Sequence, residues 1–366
     1  MKITFTGDIL IYQSQDMGCL NLDGQRDYTP IFEQVKPLLA DSDYVVGSFE
    51  TTLAGSEAGY TNSSIRFNTP DELLAALKDV GFDLLTTANN HCFDRGEEGL
   101  RRTIEIIRKN GLEQTGTRLS ADEPAYRVKD FDGTKVAFIA YTYGTNSDDN
   151  GFIVPKGKEY LVNLTRQQDL PVTYHPPLWK RAVRKLLSIV RKPKAASGIV
   201  GDCVPAVEVT NGRNLEYEKR MLNVTNDAKQ STDIVIMCLH SGGQFNSKVG
   251  TYTQHLFDII ADAGVDAIVC NHAHTTLPIY KQGNCIIASA LGNFSFAPGE
   301  GYWVDGVKAD YSAILTLEIN DKKITNYSVD ICKCVRNEFG LAVSTIVKDE
   351  NEKEYIQKRL NNNTND

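Results

Sequence analysis

The chain has 366 residues, of which 41% are hydrophobic and 23% are charged, a composition typical of a folded globular protein. This length suffices for one large α/β domain or two smaller ones with a sizeable core. The formal net charge of -8 excludes a protein built as a whole to bind nucleic acid or an anionic membrane.

Strands and helices alternate through the first half of the chain. Apolar residues recur first with the period of a strand and then with that of a helix. The predicted elements are a strand at 2–6, a helix at 30–40, a strand at 43–49, a helix at 70–81, a strand at 82–88 and a helix at 97–110. This alternation favours βαβ units and a largely parallel sheet.

Polar side chains follow three of these strands at the point where each strand ends. Asp8 follows the first strand, Glu50 the second, and Asn90 and His91 the third. Ligands of open α/β sheets bind outside the carboxyl ends of the strands, so we expect these side chains to meet at one edge. Asp94 leaves two interpretations open, the cap of the next helix or part of a binding site.

The second half of the chain repeats the pattern around an irregular middle segment, residues 144–232. The predicted elements are a hairpin at 126–141, strands at 233–239, 267–270 and 285–291, a helix at 252–263 and a closing antiparallel pair at 312–319 and 323–329. We expect a short helix at 354–360 in the charged tail and disorder at its end. A basic helix between Trp179 and Lys192 is either a solvated face or a cap that attracts an acidic substrate.

Histidines concentrate at the strand ends of the second half. His240 follows one strand, and His272 and His274 follow the next. Side chains alternate along an extended segment, so we expect His272 and His274 on one side of it, where two imidazoles can chelate a transition metal. His175 and His255 are expected to be ordinary surface or packing residues.

Together these side chains predict a divalent metal site with one or two ions (Mn, Fe, Zn or Mg). Glu50 is the best candidate to bridge two ions roughly 3.5 to 4 Å apart, a centre that promotes attack on a phosphoryl or acyl group. His91 could protonate the leaving group, with Asp94 fixing its tautomer. Arg66 could clamp a substrate phosphate or carboxylate or form a surface salt bridge. Asn293 could line the site or stabilise a turn.

The cysteines and the N-terminus predict a cytoplasmic location. The eight cysteines are scattered, which is typical of reduced cysteines and not of a disulfide framework. Cys332 and Cys334 are expected on one face of an edge strand rather than in a metal clip. No stretch reaches the roughly 18 to 20 apolar residues that span a bilayer, and the first residues lack the pattern of a secretory signal. We therefore expect no membrane anchor.

The ordered motifs resemble those of the CapA family, the poly-γ-glutamate or capsule synthesis proteins with a calcineurin-like metallophosphoesterase fold. The resemblance covers residues 1–145 and 230–300. The matching motifs are Gly7-Asp8, Ser48-Phe49-Glu50, Arg66-Phe67, Ala88-Asn89-Asn90-His91-x-x-Asp94-x-Gly96, Gly116-Thr117, His240-x-Gly242, His272-Ala273-His274 and Ser289-x-Leu291-Gly292-Asn293-Phe294.

The resemblance implies an α/β fold of the metallo-dependent phosphatase type, a four-layer α/β/β/α sandwich with one composite site between its two sheets. It places His91 in the position of the proton donor of the phosphoesterases. Leu10 stands where the broader superfamily has a histidine ligand, and Ser241 and Gln244 replace a usual Trp and Glu. The metal ligands that the resemblance implies are Asp8, Glu50, Asn90, His240, His272 and His274.

Residues 1–330 are expected to form a single domain of this type, with a divergent insertion or cap at 144–232 and a C-terminal extension at 331–366. The resemblance implies a metal-dependent hydrolase or transferase that acts on an amide or phosphoester in a small molecule, peptide or acidic polymer. Two alternatives stay open, a non-catalytic scaffold of a capsule or polyglutamate assembly system and a peptide-modifying, epimerase-like enzyme. An association with membrane capsule machinery is compatible with each.

Overall fold

The computed structural model describes residues 1–62, 66–168, 214–296 and 308–361, and the structural statements below concern those residues. It contains two β-sheets with helices on their outer faces. The strands are β1 (Lys2–Ile9), β2 (Tyr44–Phe49), β3 (Leu84–Thr86), β4 (Glu113–Thr115), β5 (Tyr126–Phe131), β6 (Thr134–Thr142), β7 (Ile234–His240), β8 (Ala267–Asn271), β9 (Thr276–Gln282), β10 (Cys285–Leu291), β11 (Asn293–Ser295), β12 (Tyr311–Asn320), β13 (Lys323–Arg336) and β14 (Ala342–Ile346). The helices are α1 (Gln13–Gly18), α2 (Thr29–Phe32), α3 (Lys36–Leu39), α4 (Leu73–Val80), α5 (Gly96–Lys109), α6 (Ser147–Asn150), α7 (Leu215–Ser231), α8 (Thr251–Asp262) and α9 (Glu350–Asn361).

Parallel strands form the centre of both sheets, as the alternation of elements predicts. The larger sheet has the order β14-β13-β12-β1-β2-β3-β4, with β11 paired to β1, and its β1 to β4 are parallel. The smaller sheet has the order β5-β6-β7-β8-β10-β9, in which β6, β7, β8 and β10 are parallel. The carboxyl ends of these strands carry the predicted donors.

Three apolar cores separate four layers of structure. Phe5 of β1 and Phe138 of β6 meet in a core between the two sheets, with ring centroids 6.5 Å apart. Val45 lies in a second core beneath α4, whereas its neighbour Val46 lies in the core between the sheets, because successive side chains of a strand face opposite ways. Phe257 of α8 packs in a third core on the smaller sheet. This order confirms the predicted α/β/β/α sandwich.

Some predicted elements differ from the structure. The helix expected at 30–40 is broken into α2, a short 3₁₀ turn (Glu33–Val35) and α3, since Pro37 has no N–H to donate and its ring disfavours a continuous helix. β9 and β14 were not predicted. Pairing with β14 puts β13 inside the sheet, so the prediction that Cys332 and Cys334 lie on an edge strand is wrong, although both are buried.

The C-terminal residues belong to the same architecture as the rest of the chain. The boundary expected after residue 330 falls inside β13, and α9 packs near β9, where Arg359 donates to the hydroxyl of Thr275 at 2.9 Å. The basic helix expected between Trp179 and Lys192 lies outside the described residues. Within the described ranges, no helix is both long enough and apolar enough to cross a membrane.

Candidate metal centre and proton donor

The donors predicted at the strand ends come together in one buried cluster. Asp8 lies near the end of β1, Glu50 directly follows β2, and His240 is the last residue of β7. The larger sheet therefore supplies one side of the cluster and the smaller sheet the other. The six donors, all at most 7% exposed, are Asp8, Glu50, Asn90, His240, His272 and His274.

Glu50 lies at the centre of the cluster. Its Oε1 is 3.4 Å from Nε2 of His240, 3.8 Å from Nε2 of His274 and 3.9 Å from Nε2 of His91. Neither carboxylate oxygen has a hydrogen-bond partner among the described residues, an arrangement that is costly for a fully buried group. Burial raises the pKa of Glu50, but the adjacent His274 and His240 outweigh burial and hold the pKa below its ordinary value.

Asp8 is held in place by two hydrogen bonds. The hydroxyl of Ser48 donates to its Oδ1 at 2.7 Å, and the backbone N–H of His272 donates to its Oδ2 at 3.0 Å. Burial and the negative charge of Glu50 raise the pKa of Asp8 well above its usual range. Two carboxylates buried side by side repel each other, and a bound cation would relieve that repulsion.

The surroundings of His240 and His272 favour the neutral form of both imidazoles, the form suited to binding a metal. Nε2 of His240 lies 2.8 Å from Oδ1 of Asn90 and 3.2 Å from Nδ1 of His272. Burial lowers the pKa of His240, and burial together with His240 lowers the pKa of His272 well below its ordinary value. Nδ1 of His240 and Nε2 of His272 have no hydrogen-bond partner in the described part of the chain. Neutral imidazole is the form that ligates metals.

The segment that carries His272 and His274 is not extended, so that expectation is wrong. Both residues have positive φ, 97° for His272 and 53° for His274. This left-handed backbone costs a non-glycine residue roughly 1–3 kcal/mol and persists only where the surroundings hold it. Here the segment turns between β8 and β9, and the hydrogen bond from His272 N to Asp8 fixes the turn. The two side chains still reach the same cluster.

Among the described residues, two sets of three donors have ligand atoms within 4.8 Å of one another. One set is Glu50, His240 and His272, and the other is Asp8, Glu50 and His274. Glu50 belongs to both, as a bridging carboxylate would. The mixture of imidazole and carboxylate donors, with unpartnered atoms in it, fits one or two divalent ions of the transition series.

Leu10 lies where the resemblance indicates a missing histidine ligand. It is 1% exposed and packs in an apolar cluster with Tyr12, Phe67 and Phe296. Its backbone N–H donates to the hydroxyl of Ser295 at 3.1 Å, and that hydroxyl donates to its carbonyl at 2.7 Å. The described residues around Leu10 therefore form an apolar surface.

Asp94 bonds to His91 and does not cap the following helix. Its Oδ2 lies 2.7 Å from Nδ1 of His91 and accepts a hydrogen bond from the N–H of Phe67, also at 2.7 Å. The first residue before α5 is Arg95, without a side-chain cap, so the capping interpretation is wrong. Burial lowers the pKa of His91, but Asp94 outweighs burial and raises that pKa above its ordinary value.

Arg66 and Asn293 differ in how their polar groups are used. Arg66 is exposed, and its Nη2 donates to the backbone carbonyl of Asp149 at 2.7 Å. Asn293 is fully buried; its Oδ1 lies 2.8 Å from Nδ1 of His274, and its Nδ2 donates to the carbonyls of His274 and Ala309. Asn293 therefore has no free polar group for a substrate and instead orients His274.

Ser48 and Asn146 hydrogen-bond to side chains of the cluster, although neither residue was predicted to do so. Ser48 bonds to Asp8, and Oδ1 of Asn146 accepts a hydrogen bond from Nδ2 of Asn90 at 3.3 Å. Asn146 follows β6, a parallel strand of the smaller sheet. The rule that identified the other donors, polar residues after the carboxyl ends of parallel strands, would have identified Asn146 as well.

Several known proteins are similar to this chain. A family model described as "Bacterial capsule synthesis protein PGA_cap" matches residues 2–298. "PGA biosynthesis protein CapA" of Bacillus subtilis (strain 168) is 24% identical over 303 residues, and "Capsule biosynthesis protein CapA" of Bacillus anthracis is 26% identical over 305 residues. Each alignment covers 82% of this chain, but the chain spans only 64% and 60% of the length of these relatives.

Two solved structures are also similar over most of the chain. A hypothetical protein from Thermus thermophilus has a TM-score of 0.44 at 11% identity, with 91% of this chain and 99% of that chain covered. The 5'-nucleotidase from Candida albicans has a TM-score of 0.39 at 11% identity, with 90% of this chain and 50% of that chain covered.

Proposed function

Because the chain belongs to the bacterial capsule synthesis protein family PGA_cap, we propose that it is a divalent-metal-dependent hydrolase or transferase acting on an amide or phosphoester bond. Its substrate would be an acidic polymer or peptide such as poly-γ-glutamate, or a capsule precursor. The observation that carries the proposal is Glu50, a buried carboxylate without hydrogen-bond donors among the described residues that belongs to both donor sets. A bound divalent ion (Mn, Fe, Zn or Mg) supplies Lewis acidity for attack on a phosphoryl or acyl group.

We propose that the six donors of the cluster hold the metal, with Glu50 shared between two positions. Asn293 and Ser48 act through their bonds to His274 and Asp8, because buried partners of this kind fix the orientation of ligands. Asn146 similarly turns the amide oxygen of Asn90 towards His240.

We propose that His91 gives a proton to the leaving group. A carboxylate accepts the hydrogen on Nδ1, so Asp94 leaves Nε2 as the atom that exchanges a proton with a substrate. That Nε2 is 3.9 Å from Oε1 of Glu50, on the side of the ring that faces the donors. The ring of Phe67 packs edge-on against the imidazole, with centroids 4.7 Å apart, and limits its rotation.

The position and charge of Arg66 support the proposal that the substrate is anionic. Arg66 is exposed, and the hydrogen bond of its Nη2 goes to the backbone carbonyl of Asp149 rather than to a carboxylate. We propose that this guanidinium binds a substrate phosphate or carboxylate, for which its fork of donors is well suited.

Leu10 favours a second candidate function, a non-catalytic binding component of a capsule assembly system. Leu10 packs in an apolar cluster at the position where the resemblance implies a histidine ligand in the wider superfamily, so one metal ligand is missing there. A single structural ion could then suffice to hold the two sheets together. Turnover distinguishes this candidate from the enzyme.

The experiment is a screen of phosphodiester and γ-glutamyl substrates with added Mn²⁺, comparing the wild type with His91→Ala. We expect metal-dependent turnover in the wild type and a loss of about 10²- to 10⁴-fold in His91→Ala, the usual contribution of general acid catalysis. His255→Ala is the matched control, because His255 lies on α8 and pairs with Glu218 away from the cluster. Equal rates for His91→Ala and the wild type would remove His91 from the mechanism. Metal binding without turnover would favour the binding component.

A further inference from the structure

A cavity of about 350 Å³ lies where the edge strands of the two sheets come together. Among the described strands, β4 is the last of the larger sheet and β5 the last of the smaller one. The cavity shares no lining residue with the six-donor cluster. Its volume lies in the range of roughly 300–1,000 Å³ that is typical of ligand pockets.

The wall of this cavity is positively charged, although the chain as a whole has a net charge of -8. Its charged lining residues are Arg108, Arg118, Arg127 and Glu123. Arg108 binds both carboxylate oxygens of Glu123, with Nη2 and Oε2 2.6 Å apart, so this pair is neutral. Glu113, which does not line the cavity, pairs with Arg127 at 3.5 Å and with Lys129 at 3.1 Å, so this group of three keeps one net positive charge. Together with Arg118, the wall and this group carry a net charge of +2.

Arg118 and Gln114 are the polar side chains of the wall that bear most directly on its binding properties. Nε of Arg118 donates to the carbonyl of Tyr160 and Nη1 donates to that of Glu123, both at 3.1 Å, and neutral carbonyls leave the positive charge in place. Gln114 of β4 is only 3% exposed, and its Oε1 accepts the hydroxyl of Thr87 at 3.1 Å. Gln114 also lines the cavity, so its amide group can contribute to binding a ligand there.

We propose that this cavity is a second binding site, for a small organic dianion such as a phosphate monoester or a dicarboxylate. Guanidinium groups bind phosphate and carboxylate oxygens through charge-assisted hydrogen bonds. The amide of Gln114 adds a neutral donor, and two negative charges balance the net charge of +2 carried by Arg118 and the group of Arg127, Glu113 and Lys129. The site is separate from the metal cluster, so it does not rest on the proposed function.

The test is isothermal titration calorimetry of the full chain with glycerol 3-phosphate and with glutarate, and with neutral glutaramide as the ligand control. We expect the wild type to bind at least one dianion and to reject glutaramide. Arg118→Met should weaken that binding by about tenfold or more, the loss expected for a charge-assisted hydrogen bond. Arg102→Met is the matched control, since Arg102 is a half-buried arginine of α5 that pairs with Asp71 outside the cavity. The dianion that binds more tightly identifies the ligand as a phosphate or a carboxylate.

Three results would overturn the proposal: no binding of either dianion, equal binding of glutaramide, or unchanged affinity in Arg118→Met. His240→Ala separates the cavity from the metal cluster, because it should leave dianion binding intact. If His240→Ala abolishes binding and Arg118→Met does not, the anion binds at the cluster and the proposal is wrong. If Arg118→Met fails to fold, Arg127→Gln on β5 replaces it, with the same expected loss and the same contrary result.

Discussion

At the scale of single residues, Asn293 decides which nitrogen of His274 faces the cluster. Two backbone carbonyls accept from its Nδ2, and this fixes its amide so that Oδ1 points at Nδ1 of His274. The ring must then carry its hydrogen on Nδ1, and Nε2 is left with a lone pair 3.8 Å from Glu50. The donor atom of His274 is thus set before any ion binds.

Asn293→Ala should therefore weaken metal binding without removing a ligand. We expect the dissociation constant for the divalent ion to rise about 10- to 100-fold, the usual effect of losing a buried partner of a metal ligand. Metal titration followed by calorimetry measures it, with the exposed Asn326→Ala as the control. An unchanged dissociation constant would contradict the positioning role.

Leu10 gives a second prediction at this scale. Leu10→His would restore the residue type of the wider superfamily but would bury an imidazole in an apolar cluster beside Phe67 and Phe296. We expect the free energy of unfolding to fall by about 1–3 kcal/mol, the cost of a buried polar group without partners. Denaturant unfolding measures the stability of Leu10→His, with Leu10→Met as the control variant. A gain of a bound metal equivalent at unchanged stability would show instead that this corner accepts a ligand.

At the scale of elements, β1 approaches the connection between β10 and β11 so closely that only glycine fits at position 7. A Cβ on Gly7 would lie 2.0 Å from the carbonyl oxygen of Gly292, a backbone atom that cannot rotate away. The N–H of Asp8 donates to that same oxygen at 2.8 Å. The close approach therefore also sets the position of a proposed metal ligand.

Gly7→Ala should lower both the free energy of unfolding and the affinity for metal. We expect a destabilisation of at least about 1–3 kcal/mol, as for other overpacked sites, because the two segments must move apart. Gly144→Ala is the matched control, since a Cβ at Gly144 meets no atom within 4 Å. Denaturant unfolding and metal titration measure the two effects. Equal behaviour of the two variants would contradict the account of β1.

The strand ends could be predicted from the sequence, whereas the segments between them could not. Asp8, Glu50 and His240 follow apolar runs, and the rule for carboxyl ends of parallel strands places them together. The left-handed backbone at His272 depends on a hydrogen bond to Asp8, 264 residues away, which local pattern does not reveal. The role of Asn293 likewise depends on its contact with the turn after β8.

At the scale of the whole molecule, the two sheets share the donors equally. The larger sheet carries Asp8, Glu50 and Asn90, and the smaller sheet carries His240, His272 and His274. An ion held by both sets would join the sheets across the central core. The four-layer order and the family could both be predicted from the motifs. The strand β14 could not be predicted, because it is short and is defined by its pairing with β13, so a boundary was expected after residue 330.

Metal binding should therefore stabilise the whole fold. At a free metal concentration of about 100 times the dissociation constant, we expect about 2.7 kcal/mol of added stability, seen as a rise in Tm. Glu50→Gln should abolish this rise, and His255→Ala should retain it. Differential scanning calorimetry with and without Mn²⁺ measures the shift. A rise of the same size in Glu50→Gln would mean that the ion binds elsewhere.

The metal content of the purified protein shows whether the cluster around Glu50 binds a divalent ion. Purified wild type and Glu50→Gln are incubated with Mn²⁺, Fe²⁺, Zn²⁺ or Mg²⁺, desalted and subjected to elemental analysis. We expect about one equivalent or more of a divalent metal in the wild type and a clear loss in Glu50→Gln, because Glu50 belongs to both donor sets. Less than about a tenth of an equivalent of every metal in the wild type, the level of adventitious binding, would contradict this expectation.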